Sequence, residues 1–159
     1  MENKIILITG ATQGIGKETA SALAFQGHTV IIHGRNEAKL QAVANEIKTA
    51  TGNNNVDTIM ADLFSLADIK RMVKEFKSRY DRLDVLINNA GAFLNKQRET
   101  TTEGHEKTIT LNLFAPFLLM RSLLDVLAKS PSARIINLSS AMHRRGGEPD
   151  FNDFQSEKN

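Results

Sequence analysis

Five short apolar runs, separated by longer stretches with helical periodicity, constrain the fold of this chain more than any other feature. The runs read IILI, VII, VDTIMA, VLI and RIINL. Continuous apolar runs of this length are typical of strands buried on both faces, and their alternation with helical stretches indicates strand–helix–strand units. With right-handed crossovers between parallel neighbours, these units predict a doubly wound α/β fold with a parallel sheet of five strands.

Two of the stretches between the runs carry the apolar spacing i, i+3, i+4, i+7 of one buried helical face. These sets are Leu40, Val43, Ala44 and Ile47, followed by Ile69, Met72, Val73 and Phe76. Asn36 and Ser65 precede the two sets at the position of an N-cap. The stretch TGNNN after the first set predicts a helix-ending turn.

The stretch from Ile109 to Leu127 is apolar on nearly every side. A helix of this kind needs cover on more than one face. Pro116 lies inside the stretch and removes one backbone donor, which favours a kink or a split in the helix.

Length and composition limit the class of protein. The 159 residues are 41% hydrophobic and 24% charged, which predicts a single domain over residues 1–159 with its own core. A net charge of +2, from scattered basic residues, disfavours nucleic-acid binding.

The absence of cysteine excludes thiolate ligands, and we expect no metal site. Because Ile5–Ile8 is too short for a signal-peptide core or a membrane span, we expect a cytoplasmic protein.

The first predicted strand runs into TGATQGIG, residues 9–16, and then directly into a helix. Glycines at such a junction let the backbone approach a phosphate, and the helix N-terminus offers N–H groups with a partial positive charge. A tight turn without a ligand is the alternative. The position after the first strand, with a second strand beyond the helix, favours a Rossmann dinucleotide-binding fold.

The end of the second predicted strand bears on the choice of nicotinamide cofactor. An acidic residue there would bind the ribose hydroxyls of NAD(H) and reject a phosphate. The chain instead reads IIHGRN, with Arg35 in that place and Asn36 beside it. Because a guanidinium suits a phosphate monoester, we expect NADP(H) in preference to NAD(H), with both residues at the 2′-phosphate. A solvated arginine in a turn is the alternative.

The glycine spacing resembles that of the short-chain dehydrogenases/reductases. Four further motifs match this family in order and place: ADL at residues 61–63, INNAG at 87–91, Asn112 in the long helix, and IINLSS at 135–140. The sequence near both ends is most similar to the branch that contains the retinol dehydrogenases. The resemblance covers essentially the whole chain.

The resemblance implies a set of cofactor contacts. Around the pyrophosphate it places Gly10, Thr12, Gln13, Gly14, Ile15 and Gly16. Asp62 and Leu63 would face the adenine, and Asn89, Ala90 and Gly91 would line the adenosine ribose and the middle of the cofactor. The carboxyl ends of parallel strands, where the strand order reverses, independently select the same junctions. For Asn88 and Asn89, amides that tie adjacent strand ends together are an alternative role, and both roles can hold at once.

The resemblance also implies hydride transfer between the nicotinamide and an alcohol or carbonyl substrate. The catalytic residues of the family are a tyrosine, a lysine four residues after it, a serine and an asparagine. Ser140 matches the serine and Asn112 the asparagine, although a strand-end cap and a polar residue at a helix kink are alternatives. The tyrosine and lysine have no match, because Tyr80 is followed four residues later by Asp84. Tyr80 also precedes the fourth strand, which places it at the edge of the sheet opposite the site.

We therefore expect an NADP(H)-dependent oxidoreductase represented by its cofactor-binding part, with a catalytically inactive NADP(H)-binding module as the alternative. A helix with Tyr-x-x-x-Lys is expected after Asn159. The fold would then be incomplete at its C-terminus, and the 159 residues inactive alone. We expect a small-molecule alcohol or carbonyl substrate, no nucleic-acid partner and no membrane span, and a homo-oligomer for a full-length protein.

Overall fold

All five predicted strands form in the computed structural model, which describes residues 2–94, 97–144 and 148–158. The strands are β1 (Ile5–Ile8), β2 (Thr29–Gly34), β3 (Val56–Met60), β4 (Val85–Asn88) and β5 (Arg134–Asn137). They pair in parallel in the order β3-β2-β1-β4-β5, so the strand order reverses between β1 and β4. The doubly wound α/β prediction is confirmed. Asn159, beyond which the helix with Tyr-x-x-x-Lys is expected, lies outside the described residues.

Helices cover both faces of the sheet. Helices α1 (Gly14–Phe25) and α2 (Glu37–Thr51) pack on the face of Ile6 and Ile8, while α3 (Leu66–Arg79) packs on the face of Leu7. Because successive strand residues point to opposite faces, β1 to β4 each contribute to two separate cores, whereas the residues of β5 are exposed.

The predicted helix boundaries of α2 and α3 are confirmed. The Asn36 side chain accepts the Lys39 N–H at 2.8 Å, and Ser65 Oγ accepts the Asp68 N–H at 3.2 Å. Gly52 ends α2 in the left-handed region at φ 71°. Both predicted sets of four apolar residues are buried.

The predicted long helix is divided into four parts. They are α4 (Lys107–Ile109), a π-helical turn (Thr110–Phe114), α5 (Ala115–Ser122) and α6 (Leu124–Leu127). Pro116 stands in the first turn of α5, where a missing N–H costs little, and a break follows at Leu123. The expected cover on more than one face is not found among the described residues: Leu119 is buried, but Phe117 is 59% exposed. No helix in the described part of the chain is long and apolar enough to cross a membrane.

A buried carboxylate joins the amino ends of β1 and β4 to the loop before β5. Asp84 is 3% exposed and accepts hydrogen bonds from the Ile5 N–H at 2.8 Å, the Ser130 hydroxyl at 2.5 Å and Arg82 Nε at 3.1 Å. Burial alone would raise the pKa of Asp84, but the hydrogen bonds from Ser130 and Ile5 and the Arg82 charge hold it below its usual value.

We predict that Asp84→Ala lowers the free energy of unfolding by about 2–4 kcal/mol, because it leaves buried donors of Ile5 and Ser130 without an acceptor. Urea denaturation measures this change. Asp81→Ala, which removes an exposed carboxylate three residues earlier, should change it by less than about 0.5 kcal/mol. Since the pKa of Asp84 is lowered in the folded state, its contribution is complete above the ordinary value of 3.8 and is lost as the pH falls below it. Equal effects of the two substitutions would contradict the prediction.

Candidate functional site

The turn between β1 and α1 leaves the first backbone donors of the helix open. Gly10 and Gly14 have φ of 65° and 55°, a region that side-chain-bearing residues rarely adopt. Gln13 stands at the N-cap without a side-chain hydrogen bond to the helix, and the described residues offer no acceptor to the N–H groups of Gly14 and Ile15. A Cβ at Gly14 would meet nothing within 4 Å. The donors and the open space above them fit a phosphate group.

Gly16 packs this turn against the segment after β4. A Cβ at Gly16 would collide with Asn89 Nδ2 and would lie 2.6 Å from the carbonyl oxygen of Gly10. Asn89 Nδ2 donates to the carbonyl oxygens of Thr9 at 2.8 Å and Gly10 at 3.1 Å. Thr9 Oγ1 in turn accepts the N–H groups of Asn89 and Ala90, each at 3.0 Å. The Asn89 amide therefore has the tying role that the sequence left as an alternative.

His33 supports the same turn from β2. Its ring is 3% exposed, Nδ1 accepts the Gly10 N–H at 3.2 Å, and Nε2 donates to the Ala61 carbonyl at 3.0 Å. Burial lowers the pKa of His33 to about 4, so the ring is neutral near pH 7 and keeps its acceptor nitrogen. The place of this histidine inside an apolar strand is the signal in the sequence of a buried polar role.

The end of β2 lies directly against the glycine turn. A Cβ at Gly34 would lie 2.6 Å from Thr12 Cγ2. Arg35, the next residue, is exposed and has no hydrogen bond or ion pair within the described ranges. Asn36 is also exposed, but its Oδ1 already caps α2.

The two residues after β3 differ in exposure. Asp62 is exposed; its N–H donates to Asp68 Oδ2 at 2.6 Å, and its Oδ1 accepts the Phe64 N–H at 3.0 Å. Leu63 is 5% exposed and its side chain packs in the core beside α3. Only the backbone of Leu63 is available at this edge of the sheet.

Asn112 lies in the π-helical turn and connects it to the segment after β4. Its Nδ2 donates to the carbonyl oxygens of Ala92 at 2.8 Å and Thr108 at 2.9 Å, and its Oδ1 accepts the Ala92 N–H at 3.2 Å. A Cβ at Gly91 would lie 2.8 Å from this Oδ1, so a glycine is needed for the contact. Pro116, four residues later, has no N–H to donate to the Asn112 carbonyl.

The candidate serine is at the same edge of the sheet. Ser140 is exposed and follows β5 by three residues, beside the end of β4, where Asn88 pairs with Asn137. Tyr80 lies elsewhere, as the sequence predicted. Its hydroxyl donates to Asp57 in the first half of β3, and burial and this hydrogen bond raise its pKa. Tyr80 therefore has no part in the site.

Comparisons with known proteins show similarity to one family over most of the chain. The family model of the short chain dehydrogenases matches residues 4–149. Polyprenol dehydrogenase of Homo sapiens is 40% identical over 97% of this chain and 47% of its own length, and retinol dehydrogenase 11 of Homo sapiens is 39% identical over 99% and 49%. The chain thus spans about half the length of the curated relatives it matches.

Two solved structures extend the comparison. A short chain dehydrogenase of Shigella flexneri complexed with NADP has a TM-score of 0.79 at 33% identity, over 92% of this chain and 62% of that one. A short chain dehydrogenase of Escherichia coli CFT073 complexed with NADPH has a TM-score of 0.80 at 31% identity, over 98% and 66%.

We predict that His33 makes folding stability pH-dependent below neutrality. Its pKa is about 4 in the folded state against an ordinary value of 6.5, so the unfolded chain takes up the proton first. The contribution of His33 is therefore complete above pH 6.5 and is lost as the pH falls towards 4, by roughly 3 kcal/mol in total. Urea denaturation between pH 7 and 4, values that bracket this window, gives the free energy of unfolding at each pH. This free energy should fall less steeply with decreasing pH in His33→Gln than in the unaltered chain. His28→Gln, directly before β2, is the control. An unchanged dependence of the free energy of unfolding on pH in His33→Gln would contradict the prediction.

Proposed function

The chain belongs to the short chain dehydrogenase family, and on that premise we propose that it binds NADP(H) at the carboxyl edge of its sheet for hydride transfer with an alcohol or carbonyl substrate. The observation that carries the proposal is the uncapped start of α1, where Gly14 and Ile15 direct open N–H donors into free space. The NADP and NADPH complexes of two solved relatives support the choice of ligand.

The chain's own residues would hold the pyrophosphate and the middle of the cofactor. The N–H groups of Gly14 and Ile15 would donate to phosphate oxygens, while Asn89 and His33 keep the turn in shape from the β4 and β2 sides. The Ile15 side chain is 70% exposed and would give the nicotinamide half an apolar contact. Gly10 permits the close approach of Ala90, since a Cβ there would lie 2.9 Å from Ala90 Cα.

The groups at the ends of β2 and β3 would select the adenosine half. Arg35 has no competing partner within the described ranges and would bind the 2′-phosphate, with the Nδ2 of Asn36 as a further donor. The Asp62 carboxylate would accept from the adenine amino group, since only its Oδ1 is engaged by the backbone. Leu63 would contribute through its backbone. This set favours NADP(H) over NAD(H).

The bound cofactor would supply or accept the hydride, and two residues of this chain would act on the reacting oxygen and its proton. The Ser140 hydroxyl would hydrogen-bond that oxygen. The Asn112 side chain already holds Ala92, so a proton path through water would use its main-chain carbonyl, to which Pro116 has no N–H to donate. Relatives named for retinol and polyprenol favour an apolar alcohol or carbonyl compound as substrate.

We predict saturable NADPH binding by isothermal titration calorimetry, tighter than NADH binding. Gly16→Ala should weaken NADPH binding at least about tenfold, because its Cβ would displace Asn89 and the Gly10 carbonyl and so distort the donors. Gly27→Ala, at the other end of α1, introduces strain at φ 84° but lies outside the turn, and should leave the affinity unchanged. An unaltered chain that does not bind NADPH, or a Gly16→Ala variant that binds as tightly, would refute the proposed site.

We further predict that residues 1–159 bind NADPH without turnover, because they contain no Tyr-x-x-x-Lys pair. Loss of NADPH absorbance with a panel of apolar aldehydes should not exceed the rate without aldehyde. Aldehyde-dependent oxidation that disappears in Ser140→Ala would show that this chain needs no such pair.

A further inference from the structure

Lys39, in the first turn of α2, reaches across to the glycine turn. Its Nζ donates to Gln13 Oε1 at 2.7 Å, although 26 residues separate them in sequence. Its backbone is held as well, because its N–H donates to Asn36 Oδ1 at 2.8 Å. Both Lys39 and Gln13 are exposed. The ammonium group therefore lies against the β1–α1 turn, and its helix begins two residues after Arg35.

This ammonium keeps most of its N–H donors. An ammonium has three N–H donors, and the neutral amide of Gln13 takes only one of them. No carboxylate in the described part of the chain pairs with Lys39. Further along the same α1–α2 contact, Lys17 is neutralised by Glu46 at 2.6 Å. The charges between α1 and α2 are therefore paired at Lys17 and Glu46, whereas the positive charge of Lys39, nearer the carboxyl edge of the sheet, has no carboxylate partner among the described residues.

We propose that Lys39 is a second cation of the 2′-phosphate subsite, which binds the phosphate monoester together with Arg35. Gln13 would hold the ammonium in place before the nucleotide arrives. The inference rests on the proposed function, because this phosphate is what distinguishes NADP(H) from NAD(H).

The charge balance of the subsite supports this assignment. A phosphate monoester carries about 1.5–2 negative charges near pH 7, more than one guanidinium neutralises. Glu37 is the acidic residue of the same helical turn, but it precedes Lys39 by two positions, and residues at that spacing do not face each other on a helix.

A purely structural role for Lys39 makes a different prediction. If its bond to Gln13 only held the glycine turn against α2, its removal would weaken NADH and NADPH binding alike. A ligand of the 2′-phosphate affects NADPH alone. The two roles are therefore separated by comparing the two nucleotides on one variant.

The test is isothermal titration calorimetry of NADPH and NADH with the unaltered chain, Lys39→Ala, Lys39→Arg, Arg35→Ala and Lys48→Ala. We expect Lys39→Ala to raise the Kd of NADPH about tenfold, equivalent to about 1.4 kcal/mol, and to leave that of NADH within about twofold. Lys39→Arg should retain most of the affinity. Lys48→Ala removes the same charge from α2 about 14 Å further along the helix and should change neither Kd.

The outcomes separate this inference from the proposed function. Equal losses for both nucleotides in Lys39→Ala, or no loss for either, would overturn the role of Lys39. If NADPH binding is then still weakened by Arg35→Ala, the proposed function stands without Lys39. If the unaltered chain binds neither nucleotide, the proposed function fails and this inference fails with it.

Discussion

The hydrogen bonds that hold the glycine turn between β2 and β4 are the constraint on which the rest of the site depends. Asn89 binds the carbonyl oxygens of Thr9 and Gly10, and His33 accepts the N–H of Gly10 from the other side. These hydrogen bonds fix the shape of the turn, and the N–H groups of Gly14 and Ile15 at the start of α1 have no acceptor among the described residues. The turn is therefore preorganised for an anion before any ligand is present.

Much of the fold could be predicted from sequence because local signals and tertiary packing agree. The strand runs, the caps at Asn36 and Ser65 and the buried faces of α2 and α3 each follow from residue patterns a few positions long. The segment 107–127 is different. Its apolar pattern predicts burial, but which face is covered depends on what packs against it, and Phe117 is exposed in this structure.

The candidate site shows the same division. The glycine turn and Arg35 can be predicted from residue type and position, since both depend on backbone geometry at strand ends. The hydrogen bonds of His33, Lys39 and Asn112 could not be predicted, because each is made to a partner distant in sequence: Gly10, Gln13 and Ala92. For Leu63, the pattern predicted the position in the chain but not the direction of the side chain, which is buried.

The two edges of the sheet also differ in how their polar groups are satisfied. At the amino edge, Asp84 collects donors from three parts of the chain, and the Tyr80 hydroxyl is bound by Asp57. At the carboxyl edge, Gly14, Ile15 and Arg35 keep donors without acceptors among the described residues. Unsatisfied donors contribute nothing to folding, so stability has to come from the two cores and from satisfied polar groups such as Asp84 and His33. Substitutions at Asp84 should therefore affect stability, whereas those at Arg35 and Lys39 should affect ligand binding with little change in folding.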